Sequence, residues 1–227
     1  MDGMFQKINI PRVRLAEQVY DQILSVIDQG LIGPSDRIVQ EKLAEQLQVS
    51  RTPIREALFR LEQEGVLTAE DRGGFTIRTA TPREVDDIYE ARQAVEGYCA
   101  AMLASEGNEQ KFATINTVIV KTEAAKFTSI SQYYNANRDI HHAFVLATGN
   151  KYLLEMFAAM WNRSLSFGIF RLLSPEQLSL TLTGHGPLLD AIRTGDPDLA
   201  RQAMCQHITD GKKLQLSAPP LADKQKA

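Results

Sequence analysis

The segment 50–65, SRTPIREALFRLEQEG, together with the following residues VLTAEDRGGFTIR, constrains the fold more than any other part of the chain. Four apolar residues of this segment recur at helical spacing, namely Ile54, Ala57, Leu58 and Leu61. This spacing predicts an amphipathic helix with one buried face. The residues after it read as two short strands joined by a glycine-bearing tip, which is typical of a β-hairpin.

Residues with known capping preferences mark both ends of this predicted helix. Ser50 or Thr52 can cap its start, and Pro53 falls in the first turn, where the missing N–H of proline costs little. Gly65 is expected to end the helix, because glycine adopts positive φ without strain.

A shorter amphipathic helix is predicted just before it, over residues 41–49, EKLAEQLQV. Residues 66–68 and 75–77 are then the two hairpin strands, and residues 71–74 are the tip. Two short helices joined by a tight turn and followed by a hairpin make a winged helix-turn-helix. That fold places its second helix in the major groove of DNA.

The start of the helix 50–64 carries side chains suited to this task. Ser50, Arg51, Thr52 and Arg55 cluster there, away from the buried face. Such groups contact base edges and phosphates. A basic first turn is also common as a merely solvated face, but here the hairpin, the preceding helix and the tip glycines all agree.

Net charge neither supports nor excludes DNA binding. Residues 1–80 contain ten Lys or Arg and twelve Asp or Glu, for a net charge of −2. A DNA footprint needs only local positive charge, and this segment supplies little of it. We therefore expect weak binding by a monomer and dimers on paired half-sites.

Residues 14–78 resemble the DNA-binding domain of GntR-type bacterial regulators, and VSRTPIREAL at 49–58 is nearly the most recognisable run of that family. The resemblance implies that three side chains make most base and phosphate contacts: Arg51, Thr52 and Arg55. It also implies that Gly73 or Gly74 lets the hairpin tip approach the minor groove. Glu41 stands where some members carry arginine, so one phosphate contact is expected to be absent.

A second domain is predicted to begin at Thr81-Pro82, a cap followed by a first-turn proline. From there to about residue 215 the periodicity is helical. Short connections between the helices favour an antiparallel bundle. Six helices are predicted, over residues 82–105, 109–126, 130–147, 151–172, 175–194 and 197–212.

All four histidines lie in this second domain: His141, His142, His185 and His207. Asn137 and His141 share a helix face, whereas His142 points about 100° away and is expected to pack or lie at the surface. A bundle can bring His141, His185 and His207 together. Three imidazoles and an oxygen donor suit Zn, Ni, Co or Mn. The spacing alone is no metal signature, so histidines that merely pack remain the alternative.

The segments NRDIHHAFVLATGN and HGPLLDAIRTGDPDLARQAMCQH resemble the FCD ligand-sensing domain of the FadR branch of these regulators. That domain is an all-helical bundle, and many members hold a divalent metal through an acid and three histidines. The resemblance implies His141, His185 and His207 as ligands. The acid falls on Asn137, whose neutral amide oxygen is a weaker ligand than the usual Asp. We therefore expect weaker metal binding, or a need for an anionic effector.

The segment YEARQAVEGY (89–98) resembles the first sensing helix of that domain, with Arg92 and Glu96 in its characteristic positions. The two can simply pair at i, i+4. Alternatively, Arg92 lines the cavity and binds an effector carboxylate with its guanidinium fork. Arg163 and Arg171 are weaker candidates for the same role.

Composition sets the outer limits. With 227 residues, 44% of them hydrophobic, the chain can bury one or two cores. No apolar run reaches the ~18 residues that span a bilayer, and no signal peptide opens the chain, so we expect a cytoplasmic protein. Cys99 and Cys205 lack metal-type spacing and are expected to be reduced core residues.

Together these patterns predict a mainly α protein with a winged helix-turn-helix at residues 1–80, an antiparallel helical bundle at 81–215 and a disordered tail at 216–227. The expected function is a homodimeric, operator-binding transcriptional regulator, usually a repressor in this family, whose bundle binds a divalent metal and a small carboxylate effector. One alternative is a metal-dependent enzyme, although no HExxH or Ser–His arrangement is evident. Another is a metal-free regulator that uses the bundle only to dimerise.

Overall fold

The computed structural model describes residues 12–29, 31–71, 73–161 and 173–217. The chain divides into two compact units, Met1–Arg78 and Thr79–Ala227. The first unit contains α1 (Arg12–Asp28), α2 (Gln40–Leu47), α3 (Arg51–Gln63), β1 (Leu67–Ala69) and β2 (Phe75–Ile77). None of the helices in the described part of the chain is long and apolar enough to cross a membrane.

The described helices of the second unit are α4 (Pro82–Glu106), α5 (Glu109–Glu123), α6 (Ile130–Ala147), α7 (Lys151–Met160), α8 (Pro175–Leu180), α9 (His185–Arg193) and α10 (Pro197–Leu216). The part of the predicted helix 151–172 beyond Trp161, with Arg163 and Arg171, lies outside the described residues, as does most of the predicted tail. Leu216, the first residue of that tail, is still helical.

The predicted buried face of α3 is confirmed. Ile54, Leu58 and Leu61 are fully buried and belong to one core with Val19 and Ile27 of α1. The helix begins one residue after Ser50, whose side chain makes no capping hydrogen bond. The predicted capping role of Ser50 is therefore wrong, and its hydroxyl is left on the exposed side of the helix start.

Gly65 ends α3 as expected, with a φ of 62°. Its N–H donates to the carbonyl of Glu62 at 2.8 Å, and the N–H of Val66 donates to the carbonyl of Leu61 at 2.8 Å. These two bonds satisfy carbonyl groups that the helix end would otherwise leave unpaired. Because Val66 takes part in this closure, the first strand begins at Leu67, one residue later than predicted.

The hairpin is antiparallel, with Leu67 opposite Ile77 and Ala69 opposite Phe75. Ile38 adds a single further bridge to Phe75, with N–O distances of 2.7 and 2.8 Å. This bridge brings the backbone of Ile38 against Gly74, where an added Cβ would lie 2.9 Å from the Ile38 carbonyl oxygen. The packing of the hairpin therefore requires glycine at this position.

The helix boundaries of the second unit follow the predicted signals. Thr81 forms a capping box with Glu84, and Pro82 occupies the first turn of α4. Further predicted boundaries coincide with a side-chain cap or a glycine of positive φ, at Gly107, Asn108, Ser129, Gly149, Asn150, Ser174, Gly195 and Asp196. Two predicted helix ends are wrong, because α5 ends at Glu123 and not at 126, and α10 continues to Leu216 and does not end at 212. Short polar sequences thus determine where these helices start and stop.

One predicted helix, 175–194, is divided into α8 and α9. Gly184 has a φ of 86°, which is incompatible with a continuous right-handed helix. The hydroxyl groups of Thr181 and Thr183 donate to the carbonyls of Leu178 and Leu180, at 2.6 and 2.8 Å, and so compete with helical backbone bonding. The break makes His185 the first residue of α9.

The long helices α4 and α10 pack closely against each other. An added Cβ on Gly97 of α4 would lie 3.0 Å from Sγ of Cys205, so this glycine allows the close approach. Gln93 also donates to the hydroxyl of Thr209 at 2.9 Å. Inner residues of α5, α6 and α9, such as Phe112, Phe144 and Ile192, complete the main core with them.

The two tip glycines provide a matched stability test. Both have positive φ, 78° at Gly73 and 88° at Gly74, so either alanine variant incurs backbone strain of about 1–3 kcal/mol. Only Gly74→Ala adds a clash with backbone, because an added Cβ on Gly73 meets its first atom at 3.9 Å. We expect Gly74→Ala to lower the melting temperature more than Gly73→Ala in differential scanning calorimetry. Equal losses would contradict this account of the hairpin.

Candidate functional site

The predicted DNA-contacting side chains lie together on an open surface. Ser50, Arg51, Thr52 and Arg55 are all exposed at the start of α3, opposite its buried face. Pro53 is buried beside them and forms part of the first turn. The arrangement leaves hydroxyl and guanidinium groups free of the core, at the end of the helix that a winged helix-turn-helix directs toward base edges.

An acidic residue shares this surface. The Glu41 carboxylate of α2 lies 3.3 Å from a guanidinium nitrogen of Arg51, and both side chains are more than half exposed. Such exposed ion pairs are weak in water, so Arg51 remains able to exchange this partner for a phosphate or a base. The sequence identified the departure at Glu41 but not its pairing with Arg51.

Two other arginines of the first unit have structural partners. Arg60 pairs with Glu64 at 2.9 Å, and its guanidinium carbon lies 4.1 Å from the ring centroid of Tyr20. Arg37 donates from Nε to the carbonyl of Gly73 at 2.7 Å and therefore holds the hairpin tip. No local pattern in the sequence indicated this role of Arg37, because its partner lies 36 residues away in the hairpin tip.

In the second unit, three histidines from three helices converge. His141 of α6 and His185 of α9 are buried, and His207 of α10 is partly buried. Their ring centroids are 4.5 to 5.3 Å apart. One potential ligand atom from each lies within 4.8 Å of the others. The convergence that the sequence could only suggest is therefore present in the fold.

A buried carboxylate orients this cluster. Glu96 accepts hydrogen bonds from Nε of Arg92 at 2.8 Å and from the indole N–H of Trp161 at 3.2 Å. Its other oxygen lies 2.5 Å from Nδ1 of His141. Burial alone would raise the pKa of Glu96, but the charge of Arg92 and the hydrogen bonds from His141 and Arg92 lower that pKa far below its ordinary value. The group is therefore an ionised acceptor.

The same contacts define the state of His141. Burial lowers the pKa of His141 despite the neighbouring carboxylate, so the imidazole is neutral near neutral pH. A neutral ring that donates from Nδ1 to Glu96 must carry its lone pair on Nε2. A carboxylate that fixes the tautomer of a histidine in this way is the usual outer partner of a metal ligand.

The other two imidazoles are neutral as well. Burial lowers the pKa of His185 well below its ordinary value, and it lowers the pKa of His207 to about 3. Nδ1 of His185 lies 3.3 Å from the carbonyl of Leu182. Deprotonated imidazole is the form that binds metal, so no proton has to leave these groups first.

Buried polar atoms support the fit of a metal ion. Nε2 of His185 and Oδ1 of Asn137 are both buried without a hydrogen-bond partner in the described part of the protein. Unpaired buried polar atoms are unfavourable and call for an explanation. Asn137 precedes His141 by one helical turn, and both line the same cavity. Three imidazoles and one amide oxygen are a donor set that suits a divalent transition metal.

The cavity beside the histidines has a volume of about 250 Å³ and is lined in part by Arg92, Asn137, His141 and His207. Arg92 pairs with Glu96 and also lines the cavity, while its binding of a carboxylate stays a prediction. Its guanidinium also stacks 4.3 Å from the ring centroid of Trp161. A cation held in this way is positioned beside any small molecule that enters the cavity.

Other predicted residues are placed as follows. His142 points away from the cluster and packs 5.7 Å from the ring of Phe157, as expected. Cys99 and Cys205 are free thiols, with Cys99 fully buried and Cys205 partly so.

Gly184 lines the cavity but was not predicted from the sequence as part of the site. An added Cβ there would lie 3.5 Å from Nδ1 of His207, in ordinary van der Waals contact, so the requirement for glycine comes from its φ of 86° and not from that ring.

Both units match known protein families. Residues 15–77 match the bacterial regulatory proteins of the gntR family, and residues 87–210 match the FCD domain. A putative L-lactate dehydrogenase operon regulatory protein of Escherichia coli is 32% identical over 89% of this chain and 86% of that relative. A probable D-xylose utilization operon transcriptional repressor of Paenarthrobacter nicotinovorans is 26% identical over 92% of this chain and 91% of that relative.

Solved structures show the same fold. The Escherichia coli protein McbR/YncC superposes with a TM-score of 0.62 at 24% identity, over 89% of this chain and 97% of that one. A putative GntR regulator from Rhodococcus gives a TM-score of 0.64 at 22% identity, over 92% of this chain and 99% of that one. With a winged helix-turn-helix joined to an FCD bundle, and with relatives that are regulators and not enzymes, this chain belongs to the GntR family of DNA-binding transcriptional regulators.

Proposed function

We propose that this regulator is a homodimeric, cytoplasmic repressor whose FCD domain senses a small carboxylate through a bound divalent metal. The metal would be held by Asn137, His141, His185 and His207. The observation that carries the proposal is the convergence of three neutral imidazoles, two buried and one partly buried, whose potential ligand atoms lie within 4.8 Å of one another beside a cavity that Arg92 lines. A bound metal would act as a Lewis acid that coordinates the effector.

The charge balance of the site favours an anionic effector. All four candidate ligands are neutral, and the charge of Arg92 is matched by that of Glu96. A divalent cation would therefore leave the buried site with an excess of two positive charges, which is unfavourable. A carboxylate that binds metal and Arg92 together would offset one of these two charges. The Asn at position 137 thus makes metal and effector binding depend on each other.

Effector binding would then relieve repression, because the effector would bind one arrangement of the regulator more tightly than another. An effector changes operator binding only if it binds more tightly to one of two arrangements of the paired DNA-binding domains. Two relatives agree with this role, since one is named a probable D-xylose utilization operon transcriptional repressor and the other a putative L-lactate dehydrogenase operon regulatory protein. For this chain the effector chemistry remains a proposal that rests on the cavity.

The first prediction concerns DNA. We expect Arg51→Ala and Arg55→Ala each to weaken operator binding by about 1–3 kcal/mol if the base contacts are bidentate. Binding would be measured by gel shift on fragments selected from the genomic DNA of the source organism. Arg83→Ala is the control, because Arg83 is an exposed, ion-paired arginine of α4 in the other unit. Unchanged affinity in both α3 variants would refute the assigned contacts.

The second prediction concerns metal content. His185→Ala removes one candidate ligand, so protein purified without a histidine tag should contain much less Zn, Ni, Co or Mn by elemental analysis. His142→Ala is the matched control, because His142 lies on the same helix as His141 but points away from the cluster. Equal metal in His185→Ala and the unchanged protein would mean that the ligands are misassigned.

The third prediction concerns Asn137. Asn137→Asp supplies the missing anionic ligand, so metal affinity should rise by about tenfold or more, and added carboxylate should improve it less than in the unchanged protein. Titration of the metal with and without acetate, followed through the single tryptophan, measures both effects. If acetate strengthens metal binding equally in the two proteins, the proposed compensation by the effector is wrong.

A further inference from the structure

One face of α10 continues from the histidine cluster along the cavity. His207, Gly211 and Gln215 follow each other at intervals of four residues, so they project from one side of the helix. All three line the cavity. Between His207 and Gln215 the helix axis advances by about 12 Å. The cavity therefore has a metal-facing end and a distant end on the same helix.

The distant end carries a polar group with no partner in the structure. Gln215 is only 5% exposed, and its Oε1 has no hydrogen-bond partner among the described residues. A buried amide without a partner is unfavourable. The side chain offers one acceptor and two donors, and a hydroxyl group can pair with either kind. A hydroxyl on a bound molecule would therefore satisfy Gln215.

Gly211 keeps the space between the two ends open. Glycine in the middle of a helix is less stable than alanine, so its presence in α10 calls for a reason. An added Cβ at Gly211 would meet nothing within 4 Å. Because Gly211 lines the cavity, a larger side chain here would project into that space. The glycine provides a passage for the middle of a ligand.

The volume limits the ligand to a small molecule. A cavity of about 250 Å³ corresponds to roughly eight water molecules at ~30 Å³ each. Leu180, Ile208 and Leu214 add apolar lining to the cavity. A short chain with an apolar middle and a polar group at each end fits this sequence of surfaces.

We propose that Gln215 and Gly211 determine effector specificity, and that the effector is a short carboxylic acid with a hydroxyl group remote from its carboxylate. This inference rests on the proposed carboxylate-binding function. The carboxylate lies at the histidines and Arg92, the chain passes over Gly211, and the remote hydroxyl pairs with the Gln215 amide.

The test compares 5-hydroxypentanoate with hexanoate, which have the same number of non-hydrogen atoms and differ only in a terminal hydroxyl. The homologous pairs one carbon shorter and one carbon longer test neighbouring chain lengths of the acid. Each acid is titrated into full-length, Zn²⁺-loaded protein, and binding is followed by calorimetry and by the fluorescence of Trp161, whose indole contacts Glu96. We expect at least one hydroxy acid to bind about tenfold more tightly than its partner, because an alkanoate leaves the amide unpaired.

Two variants and a control assign the effect. Gln215→Leu should abolish or reverse the preference for the hydroxy acid, while Gly211→Leu should weaken both acids by more than about tenfold at unchanged Zn²⁺ content. Asn135→Leu is the matched control and should retain the preference. It also removes an unpaired buried amide oxygen, but on the wall of a different cavity. Circular dichroism verifies that each variant is folded.

The outcomes separate this inference from the function on which it rests. If Zn²⁺-loaded protein binds both acids equally, or if Gln215→Leu keeps the preference, the assigned specificity is overturned and the proposed function stands. If the protein holds no Zn²⁺, or binds no carboxylate of the series, both are overturned.

Discussion

The second domain depends on one buried carboxylate, that of Glu96, which accepts hydrogen bonds from three partners on three elements. Arg92 is one turn away on α4, Trp161 follows α7, and His141 lies on α6. A buried charge is tolerated only when it is paired and fully hydrogen-bonded. The network therefore fixes the relative positions of these elements at the point where the sensing site must form. Loss of any one partner would leave a charge or a donor unpaired inside the core.

The contacts of Glu96 also determine the charge and the tautomer of the groups in the site. Because Glu96 fixes the tautomer of His141 and compensates Arg92, the cluster offers neutral ligand atoms with no excess charge of its own. A metal ion bound here would have to find its negative charge elsewhere. The amide of Asn137 is neutral and supplies no such charge, so in the proposed function the effector would be its source. The site would then sense the effector through charge, because the metal and the anionic effector would each bind weakly without the other.

The first unit differs from the second, because the side chains proposed to contact DNA are exposed and not buried. Arg51 is only loosely held by Glu41, whereas the hairpin is held by backbone contacts. The bridge between Ile38 and Phe75 and the bond from Arg37 to Gly73 place the tip, and Gly74 is required by that packing. The rigid part of this unit is thus the scaffold, and the part that meets DNA retains freedom to exchange partners.

The sequence by itself determined the local structure. Apolar spacing gave the buried face of α3, and caps such as Thr81 and Asn150 gave the helix boundaries, because these depend on residues within a few positions of each other. It also determined that Asn137, and not His142, shares a helix face with His141. Tertiary structure alone decided the break at Gly184, which divided a helix predicted as continuous, and the convergence of His141, His185 and His207. It also decided the role of Glu96, whose pairing with Arg92 was visible at i, i+4 but whose contacts with His141 and Trp161 join residues 45 and 65 positions apart. Contacts at such separations are set by the packing of whole helices, for which no local spacing provides a signal.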